Sequence, residues 1–129
     1  MYYLETSAAI KLVVAEEGST ALRRWLTPRD GQIVSSDLLR TELLRATRRA
    51  APEHMVQARA VLDALVLVTL STAVFERAAT LEPDVVRSLD ALHLAAALEL
   101  ADDLEGMVTY DRRLGEGCRA LGILTVRPS

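Results

Sequence analysis

Four acidic residues, Glu5, Glu42, Asp90 and Asp111, sit at separated points of the chain, each where the surrounding pattern calls for an apolar side chain. A buried carboxylate is costly unless it is paired or holds a metal. Four that converge would make a hard, all-oxygen site of the kind Mg²⁺ or Mn²⁺ prefers. The chemistry such a site suits is cation-assisted hydrolysis, in which the ion acidifies a water molecule and yields a nucleophile at neutral pH. One or two ions are expected.

The elements around the acids place them. Glu5 follows the apolar start Met1-Tyr2-Tyr3-Leu4, which reads as a strand ending at the carboxylate, with Thr6 or Ser7 capping the helix behind it. Asp111 has the same grammar: Met107 to Tyr110 is strand-like, and a helical stretch opens at the acid. Acids at the carboxyl ends of strands lie where open α/β sheets bind their ligands. Glu42 falls on the helical arc of Leu38, Leu39, Leu43 and Ala46, which is the core-facing stripe, with Arg40 and Arg48 on the other side. Asp90 shares a stripe with Leu94, Ala97 and Ala101, and lies in a first turn where the helix dipole favours an anion. His93, one turn on, is expected to orient Asp90 or to pack. His54, in a loop-like start, is expected to be exposed.

The net charge of −3 does not advertise nucleic-acid binding, but the bases are unevenly placed. Lys11 is the one lysine. Arg40, Arg45, Arg48 and Arg49 cluster on one helix, and Arg112 and Arg113 follow Asp111 directly. The planar guanidinium suits phosphate, so a carboxylate site rimmed by arginines fits a phosphodiester held beside a cation. Arg40, Arg45, Arg49, Arg112 and Arg113 are the candidate nucleic-acid contacts. Few aromatics are available to stack on bases: Tyr2, Tyr3 and Phe75 read as core, and Trp25 as a protein interface.

At 129 residues, half of them apolar, the chain reads as a single domain over residues 1–129 with a core of Leu, Val and Ala. No apolar run is long enough to span a bilayer, and no signal peptide is visible. One cysteine, Cys118, excludes an internal disulfide and suits a reducing, cytoplasmic setting; it reads as core filling or a plain thiol. Strands are expected at about 1–5, 32–34, 67–70, 106–109 and 123–126, and helices at about 6–15, 18–27, 36–50, 53–66, 71–81, 88–102 and 111–120. This alternation implies a three-layer α/β/α sandwich around a mostly parallel sheet of four to five short strands.

The segments Tyr3 to Ala8, Ser36 to Leu43, Arg87 to Ala95 and Val108 to Leu114 resemble, in wording, order and spacing, the PIN domain and its VapC-type toxins from bacterial type II toxin–antitoxin pairs. The resemblance covers essentially the whole chain. It implies an endoribonuclease dependent on Mg²⁺ or Mn²⁺, a second copy as partner, and a cognate antitoxin that blocks the site. Residue by residue, Glu42, Asp90 and Asp111 match metal-site acids, and Thr6 or Ser7 and Thr109 match supporting hydroxyls.

One position departs: the family's first acid is ordinarily aspartate, and here it is Glu5. The extra methylene moves the carboxylate by roughly 1.5 Å, so metal binding or turnover is expected to be reduced rather than abolished, with Mn²⁺ more forgiving than Mg²⁺. The expected mechanism has Glu5, Asp90 and Asp111 holding the cation and Glu42 as a further ligand or water acceptor. Products would carry 5′-phosphate and 3′-hydroxyl ends. The alternative from another class is a catalytically silent PIN domain that binds RNA or antitoxin as a regulatory module. Phosphotransfer enzymes and receivers fit poorly, because the chain lacks an Asp-x-Asp-x-Thr phrase and a late lysine.

Overall fold

The elements, in chain order, are β1 (Tyr2–Leu4), α1 (Thr6–Ala9), α2 (Ser19–Leu26), β2 (Ile33–Ser36), α3 (Asp37–Ala50) and α4 (Met55–Ala64). They continue with β3 (Val66–Val68), α5 (Thr72–Ala79), α6 (Ser88–Leu98), β4 (Gly106–Val108), α7 (Arg112–Ala120) and β5 (Thr125–Val126). The structure is a computed structural model that describes residues 1–84 and 86–129. Short apolar runs make the strands, and a polar residue just past β1 and β4 opens the next helix. Glu5 accepts a hydrogen bond from Ser7 N at the start of α1, and Asp111 accepts from Arg113 N and Leu114 N at the start of α7.

The five strands form one sheet in the order β3-β2-β1-β4-β5, and every pair is parallel. Parallel neighbours need crossovers, and the crossover helices cover both faces. The expected α/β sandwich is therefore what forms. Period-two alternation divides the core. Tyr3 and Met107 point to one face and pack with Leu94, Ala95, Ala96, Leu114, Cys118 and Ile123. Leu4 and Val108 point to the other, with Ala8, Leu22, Leu39, Leu43 and Leu62. Cys118 is fully buried, and burial pushes its thiol up to about 12, which suits core filling rather than chemistry. Because β1 lies between β2 and β4, the carboxyl ends of the three central strands meet at one sheet edge.

Several boundaries differ from those expected, for local reasons. The first helix stops at Ala9 and gives way to a 3₁₀ turn over Ile10–Leu12; β-branched Val13 and Val14 disfavour its continuation. The helix expected to reach residue 102 ends at Leu98, before a 3₁₀ turn over Ala101–Asp103. Acidic Asp102 and Asp103 are unfavourable at a helix carboxyl end. The third strand begins at Val66, one residue early. Phe75 is not core as expected but 50% exposed; α5 turns its neighbour Val74 inward, and one residue on, the helix has rotated by about 100°. Trp25 is partly buried, edge-on to Tyr2 and under the Arg29 guanidinium. His54 is partly exposed.

Gly106 opens β4 at a point of close approach: a Cβ there would lie 3.0 Å from the Leu124 carbonyl oxygen. Gly106→Ala therefore has to push β5 away, and a loss of about 1–3 kcal/mol is expected. A thermal melt followed by circular dichroism checks this; an unchanged midpoint would mean that the β4–β5 pairing shifts without cost.

Candidate active site

Glu42 is where the helical periodicity puts it, on the inward side of α3 and partly buried. One of its oxygens, Oε1, carries two bonds. Thr6 Oγ1 donates to it at 2.6 Å, and His93 Nε2 lies 2.5 Å away. A carboxylate only accepts, so Nε2 is the donor. On the far side of the ring, Nδ1 is 2.7 Å from the Tyr3 hydroxyl, which also donates to Ser36 Oγ at 2.8 Å. Tyr3 and His93 are almost wholly buried. The result is a continuous strut, Ser36–Tyr3–His93–Glu42–Thr6, running from β2 through β1, α6 and α3 to α1. Burial raises the Glu42 pKa, but the His93 bond and charge and the Thr6 bond outweigh it and hold the carboxyl below its usual range. Burial also pushes the Tyr3 phenol well up, so it stays protonated.

Glu5 ends β1 and is 6% exposed. Its Oε1 accepts from Ser7 N at 2.9 Å, and its Oε2 accepts from Ser7 Oγ at 2.6 Å and Thr109 Oγ1 at 2.5 Å. Both hydroxyls are themselves acceptors: Tyr110 N donates to Ser7 Oγ at 2.8 Å, and Asp111 N to Thr109 Oγ1 at 3.0 Å. Burial raises the Glu5 pKa, opposed by these hydrogen bonds.

Asp90 and Asp111 differ in kind from Glu5. Asp90, in the first turn of α6, makes no side-chain hydrogen bond among the described residues, and Asp111 uses only Oδ1 to cap α7. Burial, then the charge of Asp111, raises the Asp90 pKa; Glu42 adds to this, while His93 and Arg87 oppose it. Asp90 thus feels the charge of its acidic neighbours. A cleft of about 280 Å³ opens on Asp90, lined also by Pro83, Val86, Arg87, Arg113 and Glu116.

The sheet edge therefore brings together Glu5, Glu42, Asp90 and Asp111 with Thr6, Ser7, Thr109 and His93, all residues the sequence singles out. Their pairing departs from expectation in one respect: proximity along the helix pairs His93 with Asp90, but its hydrogen bond goes to Glu42, because His93 points into the core toward α3 and β1. Of the arginines, Arg113 lines the cleft, while Arg40, Arg45, Arg49 and Arg112 are exposed to solvent. The sequence reading missed Tyr3 and Ser36, whose hydroxyls look like ordinary strand and cap residues, and Arg87, whose only signal is its place just before the α6 acid.

A divalent cation fits this donor set in chemical type and charge. Among the described residues, Asp90, Asp111 Oδ2 and Glu42 Oε2 carry no hydrogen bond, and repulsion between such acids is what a cation relieves. Yet among the described residues no three acidic, histidine or cysteine side chains converge to hold an ion by themselves. The site is not a ready-made cage. That suits Mg²⁺, which is usually bound by one or two carboxylates together with waters and substrate phosphate.

Comparison with known proteins gives a consistent result. Residues 2–119 match the PIN domain. Ribonuclease VapC47 of Mycobacterium tuberculosis is 43% identical, over 99% of this chain and 97% of its own length. Ribonuclease VapC46 of the same species is 39% identical, over 98% and 97%. The fold is shared with Mycobacterium tuberculosis VapC20, described as a Sarcin-Ricin loop cleaving toxin, at a TM-score of 0.77 and 16% identity, covering 99% of this chain and all of that one. It is shared too with a toxin–antitoxin complex from Klebsiella pneumoniae, at a TM-score of 0.76 and 18% identity, over 100% and 98%.

Two stability changes of opposite sign follow from this geometry. Tyr3→Phe strips a buried bridge from Ser36 and His93 and is expected to cost about 1–3 kcal/mol in denaturant unfolding. Asp90→Asn should do the reverse. The folded pKa of Asp90 lies above its unfolded value, so stability falls as pH rises through that window, and the penalty is fully present at neutral pH. In EDTA at pH 7, Asp90→Asn is expected to melt a few degrees higher than the parent. A lower midpoint would show that the ionised carboxylate is stabilising.

Proposed function

The chain belongs to the PIN domain family and, within it, to the VapC proteins, and we propose that it is the toxin of a toxin–antitoxin pair, an endoribonuclease that hydrolyses RNA with the help of Mg²⁺ or Mn²⁺. The observation that carries the reading is the pair Asp90 and Asp111. Among the described residues both keep unused carboxylate oxygens at the carboxyl edge of a parallel sheet, and Asp90 opens into an arginine-lined cleft. The names of the relatives, ribonucleases of the VapC kind, support the substrate class.

In this reading Asp90 and Asp111 hold the cation, with the remaining oxygen of Glu42 beside them. When bound, the ion supplies positive charge next to the phosphate and acidifies water at neutral pH. Arg87 and Arg113 fix the RNA backbone in the cleft, offsetting the repulsion between acids and phosphate. Glu42, held in one orientation by His93 and Thr6 and kept ionised, is the acceptor that aligns the attacking water. No group here calls on the 2′-hydroxyl, so the products are 5′-phosphate and 3′-hydroxyl ends. A cognate antitoxin is the protein partner this reading brings, supported by the likeness to a toxin–antitoxin complex, and a second copy of the chain is proposed beside it. Among the described residues no helix is long and apolar enough to cross a membrane, and the cytoplasm, where RNA is made, is the proposed place of action.

A second reading has an observation in its favour: with three acceptor sites of Glu5 filled from within the chain and no cage preformed among the described residues, the domain would bind RNA or antitoxin without cutting. One experiment separates the two. The purified chain, free of antitoxin, is incubated with total RNA in Mg²⁺, Mn²⁺ or EDTA. Cleavage confined to the metal-containing samples, with 5′-phosphate ends and loss of at least about a hundredfold in Asp90→Asn, is expected. Cyclic-phosphate ends would rule out the hydrolytic route, and intact RNA throughout would favour the binding module. Arg87→Ala and Arg113→Ala are expected to raise KM with little change in kcat, as for groups that bind ground and transition states alike.

A further inference from the structure

We infer that Glu5 is a clasp joining the ends of β1 and β4, which positions Asp111, and is not a ligand of the cation; only the catalytic and metal-binding readouts below rest on the function proposed above. A ligand has to turn lone pairs toward its ion. An ionised carboxylate offers about four acceptor sites, and Glu5 has three of them filled from within the chain: by Ser7 N, Ser7 Oγ and Thr109 Oγ1.

The donors cannot easily be released. Ser7 Oγ and Thr109 Oγ1 each accept a backbone N–H, from Tyr110 and Asp111 respectively. Each hydroxyl directs its one proton to an acceptor, and Glu5 Oε2 takes both, while the two hydroxyl oxygens lie 3.3 Å apart. The path from Glu5 through Thr109 to the Asp111 amide is two hydrogen bonds long, so the orientation of Asp111 depends on Glu5 without any direct contact between the two carboxylates. A backbone bond from Glu5 N to Val108 O, 3.1 Å, ties the same two strand ends. The length of glutamate is what closes this ring. From one backbone position its carboxylate caps its own helix and still reaches across to β4; aspartate is shorter by a methylene, roughly 1.5 Å. The departure from the family's usual aspartate then has a structural cause and need not detune the site.

The test compares Thr109→Val, Thr109→Ser, Glu5→Gln and the double variant Glu5→Gln/Thr109→Val. Thr109→Val and Glu5→Gln are each expected to lower Tm by about 5–10 °C. The double variant should melt no lower than the worse single one, because both break the same ring. At a temperature where circular dichroism shows every variant folded, Thr109→Val should lose about tenfold in kcat with KM unchanged, and Thr109→Ser, which keeps the hydroxyl, should recover it. In calorimetric titration with Mn²⁺, Glu5→Gln should stay within about threefold of the parent Kd while Asp90→Asn weakens at least tenfold. Loss of Mn²⁺ binding in Glu5→Gln as deep as in Asp90→Asn overturns the inference, whatever the melting temperatures. So do additive Tm losses, or none. If the parent neither binds Mn²⁺ nor cleaves RNA, the proposed function falls, and the Tm cycle alone decides the clasp.

Discussion

Carboxylates gathered at one edge of a small sheet repel one another, and they have left water to get there. Everything else at this edge can be understood as an answer to that cost. Glu42 is stabilised by the imidazole of His93 and the hydroxyl of Thr6, and its proton affinity drops despite burial. Glu5 is answered by two hydroxyls and an amide. Asp90 has no side-chain hydrogen bond among the described residues, the charges of His93 and Arg87 offset its burial only in part, and its proton affinity rises. The uneven distribution matters more than the number of acids: two are fixed by the fold, and two keep oxygens for something from outside.

The fixed acids are held by groups whose own positions are set deep in the core. Tyr3 lies on the central strand, flanked by β2 and β4, and its hydroxyl passes that rigidity to His93 and then to Glu42. Such a chain of hydrogen bonds in a poorly polarisable interior is strong when complete and costly when broken. The price is that the reactive edge and the hydrophobic core are not separable; a change to one tyrosine hydroxyl is felt at the sheet edge and in the packing at once.

Much of this was legible in the sequence, and the failures have a common cause. Strand-then-acid-then-helix grammar placed Glu5 and Asp111 at the sheet edge, and helical periodicity turned Glu42 and Asp90 inward. Both are local rules, and both acids of each kind lie where they say. Hydrogen-bond partners are not local. That Tyr3, reading as plain core, aims its oxygen at an imidazole ninety positions away depends on how α6 crosses the sheet. The same holds for His93, whose helical neighbour Asp90 is not its partner. The arginines show the limit of composition: periodicity correctly exposes Arg40 and Arg48, but only the packing of α6 against α7 shows that Arg87 and Arg113 share a cleft with Asp90. Phe75 failed because one step around a helix separates core from solvent.

The order of the strands has a consequence for when the protein becomes competent during its synthesis. The central strand is the first to be made, yet its neighbour β4 comes about a hundred residues later, and Glu5 and Thr109 are 104 positions apart. Pairings this distant in sequence form late, after the loop between them is closed. A nascent chain on the ribosome thus carries Glu5 and Glu42 long before Asp111 exists to complete the edge. While the residues between them are translated, the edge stays unassembled, and that interval is set by chain topology alone.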